Sequence, residues 1–153
     1  MEFTVINLNR KNVVGLQIKT TNESMKAVQD IAKVWQEFIF QGLYSSVENK
    51  IDQATIGLYT DYEGDYTKPY NFLACCEVDP FNSVQSPLVC KTINAGKYAK
   101  FTVHGNPQEA VAKVWSEIWT MNLPRKYDCD FEVYHSDLAE LGNQTIDIYI
   151  SIL

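Results

Sequence analysis

A carboxylate and a tyrosine lie two residues apart in segment 131–134, which reads Phe-Glu-Val-Tyr. Because side chains alternate between the two faces of a β-strand, Glu132 and Tyr134 share one face of this predicted strand. Its apolar residues share the other face, which we expect to pack against the helices. The same alternation in segments 54–60 and 145–152 adds two tyrosines to the polar face. The predicted face therefore carries one carboxylate among three rings, those of Tyr134, Tyr59 and Tyr149.

This combination of side chains is suited to binding a lipophilic cation. The face of an aromatic ring attracts a cation by about 0.5–2 kcal/mol, depending on how far the pair is removed from water. A partly buried carboxylate supplies the compensating charge, as in apolar pockets that carry a few placed polar groups. The spacing alone leaves an alternative open, in which the tyrosines cover the sheet and Glu132 pairs with a surface lysine.

Three tryptophans are further candidates for the same site. Trp35 and Trp115 lie on the apolar faces of predicted helices, a position typical of core packing, although the edge of either ring could reach a cleft. Trp119 follows Trp115 by about one helical turn and is expected to slant toward the seam between the two halves of the chain. All three are retained as candidate ligand-binding residues.

The two helices with Trp35 and Trp115 repeat one pattern. Residues 31–38 read IAKVWQEF, and residues 111–118, at an offset of 80 positions, read VAKVWSEI. Ala, Lys, Val, Trp and Glu recur at matching positions, and both ends of the segment are apolar. A duplicated unit is expected to fold into two similar halves related by a pseudo-two-fold axis. The seam between such halves is a natural place for a cleft.

Periodicity and capping signals assign the same order of elements to each half. In the first half, a short opening strand precedes a strand at 13–20. A helix capped by Asn22 runs to about residue 40, with Gly42 just beyond its end, and strands follow at 54–60 and 71–78. In the second half, a strand at 97–103 precedes a helix that begins at Asn106, Pro107 and Glu109 and runs to about residue 121. Strands at 131–135 and 145–152 follow.

The sequence thus predicts a single α+β domain over residues 1–153. It consists of duplicated strand-helix-strand-strand halves, with an antiparallel sheet, two helices and a cleft between the halves. The halves span residues 1–79 and 88–153, and residues 80–87 connect them.

Composition narrows the classes of function. The net charge of −6 and the pI of about 4.8 argue against direct nucleic-acid binding, which needs a basic face. Neither a signal peptide nor a membrane-spanning stretch is recognised, so we expect a cytoplasmic protein that does not associate with membranes. The four cysteines are expected to be reduced thiols, with the adjacent Cys75 and Cys76 on opposite faces of a strand. His104 and His135 have no metal-ligand spacing and no nucleophile motif, so we expect no metal, no cofactor and no catalytic triad.

Several short motifs, in this order along the chain, resemble the GyrI-like (gyrase-inhibitor-like) effector-binding domain. That domain also forms the drug-sensing part of certain AraC- and MerR-type multidrug transcription activators. The motifs are AGKYAKF at 95–101 with His-Gly at 104–105, the helix with Trp115 and Trp119 leading to Leu-Pro at 123–124, FEVY at 131–134 and DIYI at 147–150. The resemblance extends over essentially the whole chain. It implies a cleft between the halves that binds lipophilic, often cationic, small molecules.

The resemblance also implies roles for individual residues. In such domains a glutamate on the penultimate strand meets the positive charge while aromatic residues stack on the ligand. Glu132 matches that glutamate, Tyr134 is its neighbour on the same face, and Tyr149 matches the aromatic residue on the final strand. The interpretation is a stand-alone binding protein for lipophilic cationic small molecules.

Two other functions remain open from the sequence. Some stand-alone members of the family hydrolyse reactive small molecules, and a cleft glutamate could act there as the general base toward water. A third function is antagonism of a protein, as in gyrase inhibition, where an acidic surface matters more than a pocket. We favour a binding protein over an enzyme because the aromatic residues and the carboxylate directly support it. A transcription factor or gyrase is a candidate protein partner. The sequence determines neither the natural ligand nor the oligomeric state.

Overall fold

Eight strands and two long helices dominate residues 1–135 and 144–153, the part of the chain that the computed structural model describes. All paired strands are antiparallel and belong to one sheet, so the predicted α+β class is confirmed. A single 3-10 turn, Glu23–Met25, precedes the first helix. The elements in chain order are β1 (Thr4–Leu8), β2 (Lys11–Thr20), α1 (Lys26–Phe40), α2 (Leu43–Ser46), β3 (Thr55–Thr60), β4 (Tyr70–Val78), β5 (Val89–Ile93), β6 (Gly96–Gly105), α3 (Pro107–Thr120), β7 (Cys129–Tyr134) and β8 (Gln144–Ser151).

Two short connections force the sheet to curl. The strand order is β1-β6-β8-β7-β3-β4-β2-β5, so β1 and β2 lie six strand positions apart, roughly 29 Å in a flat sheet. Only residues 9–10 join them, and this link reaches about 11 Å at most. Residues 94–95 join β5 to β6 across the same distance. The ends of the sheet therefore meet: Val13 of β2 and Ile93 of β5 belong to one core cluster on its inner face, and the partly buried Ile6 of β1 packs against that cluster.

The two long helices cover the outer face of the curled sheet and leave its middle strands between them. Helix α1 packs over β2 and β4, where Val34 and Phe38 are buried. Helix α3 packs over β6 and β8, where Val114 and Ile118 are buried. Strands β3 and β7 form the centre of the sheet, and the gap between the helices lies above them.

The strand order has an internal symmetry. If β1, β2, β3 and β4 are exchanged with β5, β6, β7 and β8 respectively, the order of the sheet is unchanged. The exchange also relates α1 to α3, and it places Trp35 in the position of Trp115. We infer from this match that residues 1–79 and 88–153 are two copies of one unit joined by residues 80–87.

The sequence correctly predicted the start of α3 and the end of α1, but it predicted the wrong start for α1. The Asn106 side chain accepts hydrogen bonds from the backbone N–H groups of residues 108 and 109 and caps α3, as predicted. Gly42 follows α1 with a left-handed φ of 80°, which glycine adopts without steric cost. Asn22 does not cap α1, because the helix begins at Lys26, four residues later. The Asn22 side chain instead donates a hydrogen bond to the Tyr66 carbonyl and accepts one from the Tyr70 hydroxyl.

Other details of the fold extend the sequence-based description. Strand β5 was not predicted and lies at one edge of the sheet, paired with β2. Cys75 and Cys76 do point to opposite faces of β4, into different core clusters. Within the described residues, no helix combines the length and the apolar character needed to cross a membrane.

Candidate ligand-binding site

A cavity of about 820 Å³ lies between α1 and α3, above the middle strands of the sheet. Trp35 of α1 and Trp115 of α3 contribute to opposite walls, and β3 and β7 supply the floor through Tyr59 and Glu132. The position follows from the packing described above, because each helix covers its own half of the sheet and neither covers the centre.

Glu132 is the most unusual residue of this floor. It lies in the middle of β7, opposite Gly57 of β3 and Ile148 of β8, and is only 1% exposed. The Tyr59 hydroxyl donates to Oε1 at 2.8 Å, and the Tyr134 hydroxyl donates to Oε2 at 3.0 Å. Each carboxylate oxygen therefore accepts a hydrogen bond from a neutral side chain.

Burial dominates the ionisation of this carboxyl group. Desolvation raises the pKa of Glu132 from 4.5 to about 7, because removal from water penalises the charged form. The hydrogen bonds from Tyr59 and Tyr134 act in the opposite direction and limit the rise. The pKa values of Tyr59 and Tyr134 are well above their usual range, owing to burial and the nearby carboxylate, so both hydroxyls remain protonated donors.

Gly57 makes room for the carboxylate. A Cβ atom at this position would lie 3.0 Å from Oε1 of Glu132 and 3.3 Å from two ring carbons of Phe72. The first distance is shorter than an ordinary van der Waals contact, so a larger residue would displace the carboxylate or the Phe72 ring. The absence of a side chain at position 57 is thus part of the geometry of the site.

Asp130, two residues before Glu132 on the same face of β7, shows how this protein compensates a buried carboxylate. Asp130 is 0% exposed and forms an ion pair with Arg125 at 2.8 Å. It also accepts hydrogen bonds from the Tyr62 hydroxyl at 2.6 Å and from the Ser151 backbone N–H at 2.8 Å. Among the described residues, no lysine, arginine or histidine forms such an ion pair with Glu132. Within the part of the chain that the structure describes, the charge of Glu132 therefore has no cationic partner.

Aromatic rings pack against one another around Glu132. The rings of Tyr59 and Trp115 have centroids 5.0 Å apart, and those of Trp35 and Tyr134 meet edge to face at 5.5 Å. Such contacts fix the orientation of each ring and leave the negative faces of the π-systems available to a positive group. The walls of the cavity are therefore both apolar and attractive to cations.

The mouth of the cavity is lined by apolar side chains that solvent reaches. Met25 is 70% exposed, Val28 62% and Trp119 43%. The Trp119 ring stacks on Tyr66, in the loop between β3 and β4, with centroids 5.9 Å apart and planes 16° apart. The Asn22 amide donates to the Tyr66 carbonyl at 2.8 Å and ties that loop to the start of α1.

The structure brings together most of the residues that the sequence analysis singled out. Those lining the cavity are Glu132, Tyr134, Tyr59, Trp35, Trp115 and Trp119.

Tyr149 does not belong to this group, and its expected position beside Glu132 is wrong. It pairs across the sheet with Phe131, and the two rings stack on the inner face with centroids 4.6 Å apart. In β8, Ile146, Ile148 and Ile150 turn to the outer face and pack beneath α3, so the alternate position 149 must face inward.

The prediction that Phe131 and Val133 of β7 pack against the helices is wrong for a related reason. The helices cover the face of Glu132 and Tyr134, whereas Phe131 and Val133 turn to the inner face that the curled sheet encloses. Both faces of the sheet are buried, and alternation shows which side chains share a face without showing which face the helices cover.

Sequence reasoning missed the tyrosines that extend the aromatic floor and the mouth. Tyr62 and Tyr70 line the cavity together with Tyr66, and Tyr70 packs against both Tyr59 and Tyr62. The available signal was the concentration of four of the nine tyrosines of the chain in one hairpin, between positions 59 and 70.

Fold and cavity together define the class of the protein. An antiparallel sheet with two helices flanking an aromatic cavity is the architecture of the GyrI-like effector-binding domains. A model of one family within this class, Cass2, described as integron-associated effector binding protein, matches residues 4–152. The chain belongs to this family, and the resemblance identified in the sequence is confirmed.

Solved structures agree with this assignment. An integron cassette protein from Vibrio cholerae, VCH_CASS2, is 26% identical, with a TM-score of 0.79 over 99% of this chain and 95% of that chain. SAV2435, solved bound to tetraphenylphosphonium, is 22% identical, with a TM-score of 0.80 over 100% of this chain and 94% of that one. EcmrR in its DNA complex is 13% identical, with a TM-score of 0.64; this chain is covered to 99% and EcmrR to 58%. The last two show the fold alone. No curated protein sequence matches this chain significantly.

Proposed function

We propose that this protein binds lipophilic organic cations in the cavity between α1 and α3, with Glu132 as the counter-charge. The observation that carries the proposal is a carboxylate only 1% exposed that has no cationic partner among the described residues. A buried charge is costly unless it is paired, and the protein pairs the neighbouring Asp130 with Arg125. A cationic ligand would supply for Glu132 what Arg125 supplies for Asp130.

The surroundings of Glu132 support the same class of ligand. The rings of Tyr59, Trp115, Trp35 and Tyr134 enclose the carboxylate, and a ligand positioned over them gains both apolar contact and cation–π attraction. A cavity of about 820 Å³ is within the size range of sites for drug-sized molecules. The tetraphenylphosphonium complex of SAV2435 is consistent with a lipophilic cation as the ligand of this fold.

A titration with matched ligands tests the proposal. Tetraphenylphosphonium and a neutral triarylphosphine oxide are titrated against the wild type and Glu132→Gln at pH 8, with tryptophan fluorescence as the signal. Loss of the charge should weaken cation binding by about 1–3 kcal/mol, or roughly 5- to 150-fold, and leave the affinity of the neutral compound unchanged. Glu77→Gln is the matched control, because Glu77 lies outside the cavity and pairs with Lys11 at 3.2 Å. Equal affinity of the wild type and Glu132→Gln for the cation would refute the role of Glu132.

A buried carboxylate on the cavity floor also suits a second candidate, hydrolysis of a small reactive molecule. Burial raises the pKa of Glu132 to about 7, the range in which a carboxylate acts as a general base toward water at neutral pH. In that case Glu132→Gln would abolish turnover of a bound substrate while its binding persisted. A cation that is recovered unchanged after prolonged incubation with the wild type contradicts this candidate for that compound.

A further inference from the structure

The carboxylate of Glu132 can attract a ligand by its charge, but hydrogen bonds within the protein already occupy part of its lone-pair positions. An ionised carboxylate has about four lone-pair positions. The hydroxyls of Tyr59 and Tyr134 occupy one on each oxygen. The indole N–H of Trp115 is buried and has no hydrogen-bond partner among the described residues. Two neutral donors thus converge on this one group and leave about two of its lone-pair positions open.

Other acceptors for a ligand's N–H groups are scarce near the carboxylate. Around Glu132 the cavity is lined by aromatic side chains, and Gly57, opposite Glu132 on β3, has no side chain. The polar side chains Asn22, Gln53, Thr55, Gln108, Ser116 and Gln144 also line the cavity, but each is half-buried or exposed, unlike Glu132. Within the described part of the chain, Glu132 is also the sole charged residue that lines the cavity. The floor therefore provides one negative charge and aromatic faces, with little capacity for hydrogen bonding.

We propose, building on the proposed function, that the cavity selects monocations that carry no N–H donors, such as quaternary ammonium and phosphonium ions, over protonated amines of similar shape. A primary ammonium brings three N–H donors to a carboxylate with about two open lone-pair positions. At least one donor would then be buried without a partner, which weakens binding. A quaternary cation has no donor to satisfy and is attracted by the charge and by the rings.

The test compares 4-phenylbutyltrimethylammonium with 4-phenylbutylammonium at pH 8, where both are charged. In the wild type we expect the quaternary ion to bind about 10- to 100-fold more tightly. The same pair measured with Glu132→Gln shows how much of this ratio comes from the added methyl groups. The difference between the two ratios is the selectivity that the carboxylate confers.

Variants that free a lone pair give an independent readout. Tyr59→Phe removes the donor to Oε1, and Tyr134→Phe removes the donor to Oε2, so either change should raise the affinity of the primary ammonium relative to the quaternary ion. Both ligands meet the same carboxylate at one pH, so its degree of ionisation cancels from the ratio. Tyr149→Phe is the matched control, because Tyr149 lies on the inner face of the sheet, away from the cavity.

The outcomes separate this inference from the proposed function. Equal binding of both ligands, each weakened in Glu132→Gln, would overturn the selectivity and leave the proposed function standing. A ratio unchanged in both Tyr59→Phe and Tyr134→Phe would show that occupied lone pairs are not its cause. If neither cation responds to Glu132→Gln, the proposed function fails and this inference fails with it.

Discussion

The affinity for a lipophilic cation should rise with pH through neutrality. Burial raises the pKa of Glu132 to about 7, so the protein without ligand carries a neutral carboxyl group below this pH and a carboxylate above it. A permanent cation such as tetraphenylphosphonium favours the ionised form, because only that form attracts it. Binding at lower pH therefore requires that a proton be removed first.

The size of the effect follows from the fraction of Glu132 that is ionised. With a pKa of about 7, this fraction is about nine-tenths at pH 8 and about one-tenth at pH 6, so the affinity should fall roughly tenfold between them. From pH 8 to pH 5 the fall should reach at most about 50-fold, because binding to the neutral form, weaker by up to about 150-fold, then limits it. Below pH 7 each further unit should cost close to a factor of ten, until binding to the neutral form becomes significant.

Fluorescence titrations between pH 5 and pH 8.5 measure this profile. Tetraphenylphosphonium has no titratable group, and Glu132→Gln should bind it weakly and with little dependence on pH. A neutral triarylphosphine oxide should bind the wild type with an affinity that does not increase with pH. Constant affinity of the wild type for tetraphenylphosphonium across this range, or a decrease as the pH rises, would refute the assignment of Glu132 as counter-charge.

Three further predictions concern the protein without ligand and the geometry of its site. Because the pKa of Glu132 is higher in the folded state than its unfolded value of 4.5, its favourable contribution is present below about pH 4.5 and is lost as the pH rises through about 7. Urea denaturation measures the free energy of unfolding of the wild type and of Glu132→Gln. The wild-type value relative to that of Glu132→Gln should fall by about 3 kcal/mol between pH 4.5 and pH 8. A difference between the two proteins that does not change with pH would contradict this prediction. In Gly57→Ala the new Cβ would lie 3.0 Å from Oε1 of Glu132. This change should lower the affinity for cations more than for neutral ligands and destabilise the fold by about 1–3 kcal/mol. Unchanged cation affinity would show that the carboxylate tolerates displacement. Asp130→Asn should destabilise the protein by about 3–5 kcal/mol, because it leaves Arg125 buried without its counter-charge; a loss below about 1 kcal/mol would show that this pair is dispensable.

The sequence was sufficient to predict the class of fold and the face of β7 that carries Glu132 and Tyr134. The repeated Ala-Lys-Val-Trp pattern indicated two related helices, and alternation in segment 131–134 correctly placed Glu132 and Tyr134 on one face of β7. Both signals depend on short-range periodicity, which the local backbone geometry sets directly. They do not depend on how the other strands of the sheet pair.

The errors arose where the answer depended on how distant strands pair. Tyr149 was expected beside Glu132, but the register of β7 with β8 places it opposite Phe131 on the inner face. The side covered by the helices was also misassigned, because the curl of the sheet buries both faces and removes the usual contrast between a polar and an apolar side. Asn22 was predicted to cap a helix, but its side-chain amide forms hydrogen bonds with Tyr66 and Tyr70 at the mouth of the cavity.

The number of protons released on binding tests the central claim most directly. Calorimetric titration of the wild type with tetraphenylphosphonium at pH 6, in buffers of different ionisation enthalpy, counts these protons. With the pKa of Glu132 at about 7 and cation binding about 5- to 150-fold weaker to the neutral form, we predict release of roughly 0.2 to 0.9 proton for each cation bound at pH 6, and close to none in Glu132→Gln. Saturable binding of the cation to the wild type without proton release would mean that Glu132 does not supply the counter-charge.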